Sequence, residues 1–141
     1  MPFVAAVLLA ALWGAIVQTQ FNLAELQALG ASVPWLLRAQ TTLQDVLGFG
    51  PLYAAVVAVS FALAFPVAAL LARYWTVWRS AWFALAGLAG LIVAIRLIDA
   101  VTPPPVLIAA TRTTAGLLAM TAGGAVGGWL YALSSARRRL H

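Results

Sequence analysis

Hydrophobic positions dominate the chain in long runs that charged groups barely interrupt. The first run covers residues 3–21, Phe3 to Phe21. It is short and alanine-rich, as a secretory signal would be, but it lacks a basic start, which favours a retained first membrane span. Residues 22–50 are the most polar internal stretch. Asn22 and Glu25 have the spacing of a helix-start capping pair, and Gly30 would stop that helix. Ser32 and Pro34 can open another helix, which Gly48 would end. On it Leu36, Ala39, Leu43, Val46 and Leu47 share one face, and Arg38, Thr41, Thr42 and Asp45 share the other. That pattern predicts an amphipathic helix lying on the bilayer or capping a bundle.

The second span is expected over 51–72, with Pro51 in its first turn and Pro66 bending its interior. A turn holding Arg73, Trp75, Trp78 and Arg79 leads to a third span over 80–99. The run Thr102-Pro103-Pro104-Pro105 makes a stiff corner. The fourth span covers 106–133, and a basic tail covers 134–141. The expected fold is all-α: one membrane domain, a four-helix bundle with an amphipathic helical loop between helices 1 and 2. That loop is too long for a plain connector, since helix–helix connections usually take about 2–8 residues.

Composition agrees with this pattern. Of 141 residues, 65% are hydrophobic and 8% are charged, against roughly 25% charged in an ordinary soluble domain. Mean hydropathy is +1.01. The net charge of +5 is all arginine. Arg137, Arg138 and Arg139 form one tail, which suits a cytoplasmic membrane face and anionic lipid better than nucleic acid. With both termini inside, Arg73, Arg79 and the tail face the cytoplasm, while Arg38, Arg96 and Arg112 lie on the other side. The expected location is the bacterial inner membrane, multi-pass, with the long loop periplasmic. Tyr74, Trp75, Trp78, Trp82, Trp129 and Tyr131 would form an inner aromatic belt, with Trp35 and Tyr53 at the outer interface.

The sequence offers little catalytic chemistry. With no cysteine, thiol catalysis, disulfides and thiolate metal sites are excluded. The single histidine is His141, and the acids Glu25, Asp45 and Asp99 are scattered. No metal site and no acid–base pair can be named, so an enzyme is not expected. No nucleotide loop, nucleophile elbow or zincin motif occurs.

Two sets of residues invite a functional reading. Gln18, Arg38, Asp45, Arg96, Asp99 and Arg112 could gather in an outer-leaflet polar pocket for a quinone head group or a lipid phosphate. The plainer alternative makes Arg96 and Arg112 interfacial anchors, with Arg96 pairing Asp99 at i+3. Ala115, Ala119, Gly123 and Gly127, with Gly124 and Gly128 offset by one, form a smooth helix face. It would serve a partner subunit, a second copy or the chain's own bundle. Trp13 is expected to be a packing residue.

The expected function is therefore a non-catalytic accessory or anchoring subunit of a larger membrane complex, in contact with membrane lipids. The alternative is a quinone- or phospholipid-binding module serving a dehydrogenase. A small transporter or channel ranks lower, because spans two to four offer only Ser60 and Thr121 near the midplane.

Overall fold

The computed structural model describes residues 1–103 and 108–137. Pro104 and Pro105 of the proline corner, Arg138, Arg139 and His141 lie outside the described residues, as does the side chain of Arg137. Among the described residues four helices account for most of the structure: α1 (Pro2–Ala28), α2 (Trp35–Tyr74), α3 (Arg79–Val101) and α4 (Thr114–Arg137). Short 3-10 turns at Thr76–Trp78 and Ala109–Arg112 precede α3 and α4. No strand occurs among the described residues. All four helices are long and apolar enough to cross a membrane.

The helices stand in a square. α1 and α3 lie diagonally, each flanked by α2 and α4. Both described termini sit at one end, here called the terminal end. The α1–α2 connection and the Ala109–Arg112 turn sit at the other, the hairpin end.

α1 opens with Pro2, where a missing N–H costs nothing. It closes where the sequence predicts. Gly30 adopts φ 90°, its N–H donates to Gln27 O at 3.0 Å, and Ala31 N–H donates to Leu26 O at 3.0 Å. This is a Schellman closure, and the left-handed backbone is what calls for glycine there. The expected helix start at Asn22 is absent. The Leu, Ala, Gln and Glu residues after Phe21 are good helix formers, and no breaker separates them from the apolar run.

The largest departure is α2. The expected amphipathic helix and the second span form one uninterrupted helix of 40 residues, with Pro51 and Pro66 inside it. Gly48 therefore ends nothing. Among the described glycines only Gly30 has positive φ, so Gly48 keeps a helical backbone. Pro51 removes one ladder bond, but packing spans the gap. Phe49 and Tyr53 stack across it at 5.5 Å and 15°. Tyr53 is buried against Gly14 of α1, where an added Cβ would lie 2.0 Å from the tyrosine ring. At 1.5 Å per residue α2 is about 60 Å long, twice the ~30 Å hydrocarbon core of a bilayer.

α4 also begins later than expected, at Thr114 instead of residue 106. Thr113 has extended backbone and its Oγ1 accepts the Gly116 N–H at 3.0 Å, capping the new helix. Arg112 consequently sits on the 3-10 turn, ahead of the helix.

The core runs along the bundle axis through Ala10, Val57, Phe61, Leu91, Ile95 and Met120, all fully buried. At the terminal end Phe65 packs edge-on to Phe3 at 6.2 Å and to Phe83 at 5.3 Å, with Tyr131 at 4.7 Å. Arg79 closes this end. Its Nη2 donates to Ser135 Oγ at 2.6 Å, and its guanidinium lies 4.9 Å from the Phe83 ring centre.

The glycines of α4 set the spacing. A Cβ on Gly124 would meet Gly87 O at 2.4 Å, and one on Gly128 would meet Phe83 O at 2.0 Å. Gly123 and Gly127 do the same toward α1, against Trp13 and Ala6 O. Trp13 Nε1–H donates to Ala119 O at 2.8 Å, so Trp13 packs and hydrogen-bonds α1 to α4. The four glycines face the chain's own α1 and α3. Of the rest of that strip, Ala119 is half-buried and Ala115 exposed.

Candidate functional site

Polar side chains of the bundle concentrate at the hairpin end, where α1 meets α2 and the Ala109–Arg112 turn. The cause lies in the sequence. Gln20 and Gln27 are seven residues apart on α1, and Arg38, Thr42 and Asp45 recur at three- and four-residue spacing on α2. Those spacings put each set on one helix face, and the two faces meet.

Arg38 bridges them. Its Nη1 donates to Gln20 Oε1 at 2.5 Å and its Nη2 to Gln27 Oε1 at 3.0 Å. Gln20 Nε2 donates to Thr42 Oγ1 at 3.2 Å, and Thr42 donates to Arg38 O at 2.8 Å. Lower down, the buried Thr19 hydroxyl faces both Ala15 O at 2.9 Å and Asp45 Oδ2 at 2.8 Å. Each of these groups would be costly if left unpaired in an apolar setting. Together they form a ladder joining the two helices.

The other flank of α1 holds the 3-10 turn. Gln18 Oε1 accepts the Ala110 N–H at 2.9 Å. Arg112 Nη1 pairs with Glu25 Oε2 at 2.8 Å, with both side chains partly exposed. Glu25 thus serves as an ion-pair partner, in place of the helix-start role its spacing to Asn22 suggests.

The six polar residues of the expected pocket are distributed over the hairpin end without meeting at one point. Arg38 and Asp45 lie between α1 and α2. Gln18 and Arg112 lie between α1 and the 3-10 turn. Arg96 and Asp99 are on α3, diagonal to α1. Arg96 is exposed and makes no ion pair with Asp99, whose Oδ1 is buried without a hydrogen-bond partner among the described residues.

A groove does exist beside the ladder, about 470 Å³ in volume. Arg38, Gln20 and Thr42 form its polar rim. Leu12, Ile16, Leu43 and Val46 form its apolar track, and Trp35 closes the top. Sequence reasoning named Arg38 but missed the groove, because nothing in one sequence pairs residue 16 with residue 43. A larger groove, about 720 Å³, lies between α2 and α3 and is almost wholly apolar, with Ser60 and Gly90 among its lining residues. No group of acidic or histidine residues suited to a metal occurs among the described residues.

The face of α2 turned away from α1 is the unusual one. Leu36 and Leu47 are 66% and 69% exposed, while Arg38, Thr42 and Asp45 point at α1. The amphipathic helix is present as the pattern predicts, but its polar face is turned inward and its apolar face outward. In water this orientation is unfavourable.

Comparison with models of protein families, with curated proteins and with solved structures finds no match to this chain.

Proposed function

We propose that the chain is a non-catalytic accessory subunit of a bacterial inner-membrane complex, docking through the apolar outer face of its hairpin end. Both termini face the cytoplasm and the hairpin faces the periplasm. This orientation is supported by the arginines: Arg73 and Arg79 lie at the terminal end, and cytoplasmic ends carry the excess of basic residues.

The observation that carries the docking reading is the outward face of Leu36 and Leu47. If the terminal end marks one membrane boundary, about 20 residues of each helix fill the hydrocarbon core. Counted along α1, that brings the far boundary near Phe21, and on α2 to the level of Arg38 and Thr42, which meet Gln20. The first turn of α2 then stands at that boundary, with Leu36 outward there and Leu47 outward about three turns deeper. Exposed apolar patches of this kind mark interaction surfaces. The glycine strip of α4, taken up by α1 and α3, supports placing the contact on the hairpin.

A photo-crosslinking residue at Leu36 or Leu47, in native membranes, tests this. The expected result is one partner protein, recovered in fixed ratio with the chain, whose recovery is lost in Leu36→Glu and Leu47→Glu variants that fold normally. A chain that crosslinks to lipid alone and purifies alone overturns the reading.

A further inference from the structure

The groove between α1 and α2 combines a cation at its upper end with an apolar track below it. The Arg38 guanidinium has five N–H donors, and its described partners are two neutral amide oxygens, Gln20 Oε1 and Gln27 Oε1. The nearby carboxylates are engaged elsewhere, Asp45 by Thr19 and Glu25 by Arg112. Among the described residues the groove lining contains no acidic one. Its charge is therefore that of one arginine. An arginine fork matches the oxygens of a phosphate better than any other side chain does.

The track runs the right way for a lipid. Ile16 and Leu12 lie four and eight residues below Gln20 on α1, so they sit about 6 and 12 Å deeper along the helix axis. Leu43 and Val46 line the facing side on α2. Leu12 and Ile16 are 46% and 39% exposed, open to a chain lying alongside. With about 20 residues of α1 filling the hydrocarbon core, Gln20 and Arg38 stand at its edge, where headgroup phosphates reside, and the leucine track lies within it. Trp35 caps the upper end, as aromatic residues do at that level.

We propose that this groove binds one anionic phospholipid. Its phosphate lies on the Arg38 guanidinium, beside the Gln20 amide and the Thr42 hydroxyl, and one acyl chain lies along Leu12, Ile16, Leu43 and Val46. The absence of acidic residues from the lining favours a net negative headgroup, because a zwitterionic one brings a cation that finds no counter-charge. The site is independent of the docking reading, which rests on Leu36 and Leu47 farther round the helix.

The test is native mass spectrometry of the full chain released from detergent and titrated with dioleoylphosphatidylglycerol, dioleoylphosphatidylcholine of the same chain length, or inorganic phosphate. The expected result is one phosphatidylglycerol per chain, held in preference to phosphatidylcholine and not displaced by millimolar phosphate. Arg38→Gln should weaken phosphatidylglycerol retention by about tenfold or more. Arg73→Gln, at the opposite end, should leave retention unchanged. Arg38→Lys should keep the preference for the anionic lipid. Ile16→Trp fills the lower track with Arg38 in place and should weaken both lipids, so the idea stays testable if Arg38→Gln does not fold. Equal retention of the two lipids, equal loss in the Arg38 and Arg73 variants, or displacement by phosphate alone each overturns the proposal.

Discussion

Adding one methyl group to Gly124 tests whether the α3–α4 contact holds this bundle at its spacing. The new Cβ would stand 2.4 Å from Gly87 O, 2.7 Å from Leu91 Cδ1 and 2.9 Å from Gly87 C. Ordinary contact begins at 3.4 Å, so α3 and α4 must part by about 1 Å near this point. The obstacle is backbone, which cannot rotate away as a side chain can. Overpacking of this kind costs typically about 1–3 kcal/mol. Alanine returns about 1 kcal/mol through its better helix propensity. Taking the upper end of the overpacking range, Gly124→Ala should lose about 2 kcal/mol, a factor of roughly 30 in the folding equilibrium. Gly48→Ala supplies the control, since nothing lies within 4 Å of a Cβ there. It should be neutral or gain up to about 1 kcal/mol. The reciprocal change Gly87→Ala meets Gly124 O at 2.0 Å and should cost at least as much. Once the helices have parted, the second methyl costs less, so the double variant should fall short of the sum. Equilibrium unfolding in mixed micelles, followed by circular dichroism, measures the four variants against wild type. A Gly124→Ala midpoint equal to wild type, or an equal loss in Gly48→Ala, would refute the reasoning.

Three other changes probe contacts at the hairpin end and along α1. Gln18→Leu strands the Ala110 N–H, and a buried donor left unpaired costs about 1–3 kcal/mol; hydrogen exchange at residues 108–112 should quicken, and unchanged exchange would count against the contact. The Glu25–Arg112 pair is 37% and 46% exposed on its two sides, so a double-mutant cycle should return less than about 1 kcal/mol of coupling; a value well above that would mean the pair is shielded by something absent from the isolated chain. Trp13→Phe keeps the ring on Gly123 but removes the donor to Ala119 O, and should lower stability by about 1 kcal/mol in the same unfolding assay; no change would make the bond incidental.

Some of this was readable from one dimension. The helical class, the number of apolar helices and the stop at Gly30 follow from hydropathy and from a glycine after a helical run, because those signals act over a few residues. The two faces of residues 35–47 were equally plain. Which face turns inward was not. That depends on Gln20 and Gln27 of α1 lying opposite Arg38 and Thr42, a pairing between residues far apart in sequence. Gly48 and Pro51 read locally as a break, and the stacked Phe49–Tyr53 pair, seated against Gly14, overrides them.

The sequence by itself determined that the chain is apolar, helical and built of segments able to cross a bilayer, since burial in lipid demands apolar side chains and internally satisfied backbone. It also determined that no cysteine or histidine cluster can supply chemistry. Only the tertiary structure decided that the α4 glycines are spent on α1 and α3, that Arg96 and Arg112 stand apart, and that Arg38 heads an apolar groove. Small residues permit close approach without naming the neighbour. A polar residue requires a partner without saying where along the chain it lies. Both choices are settled only when the helices are set side by side.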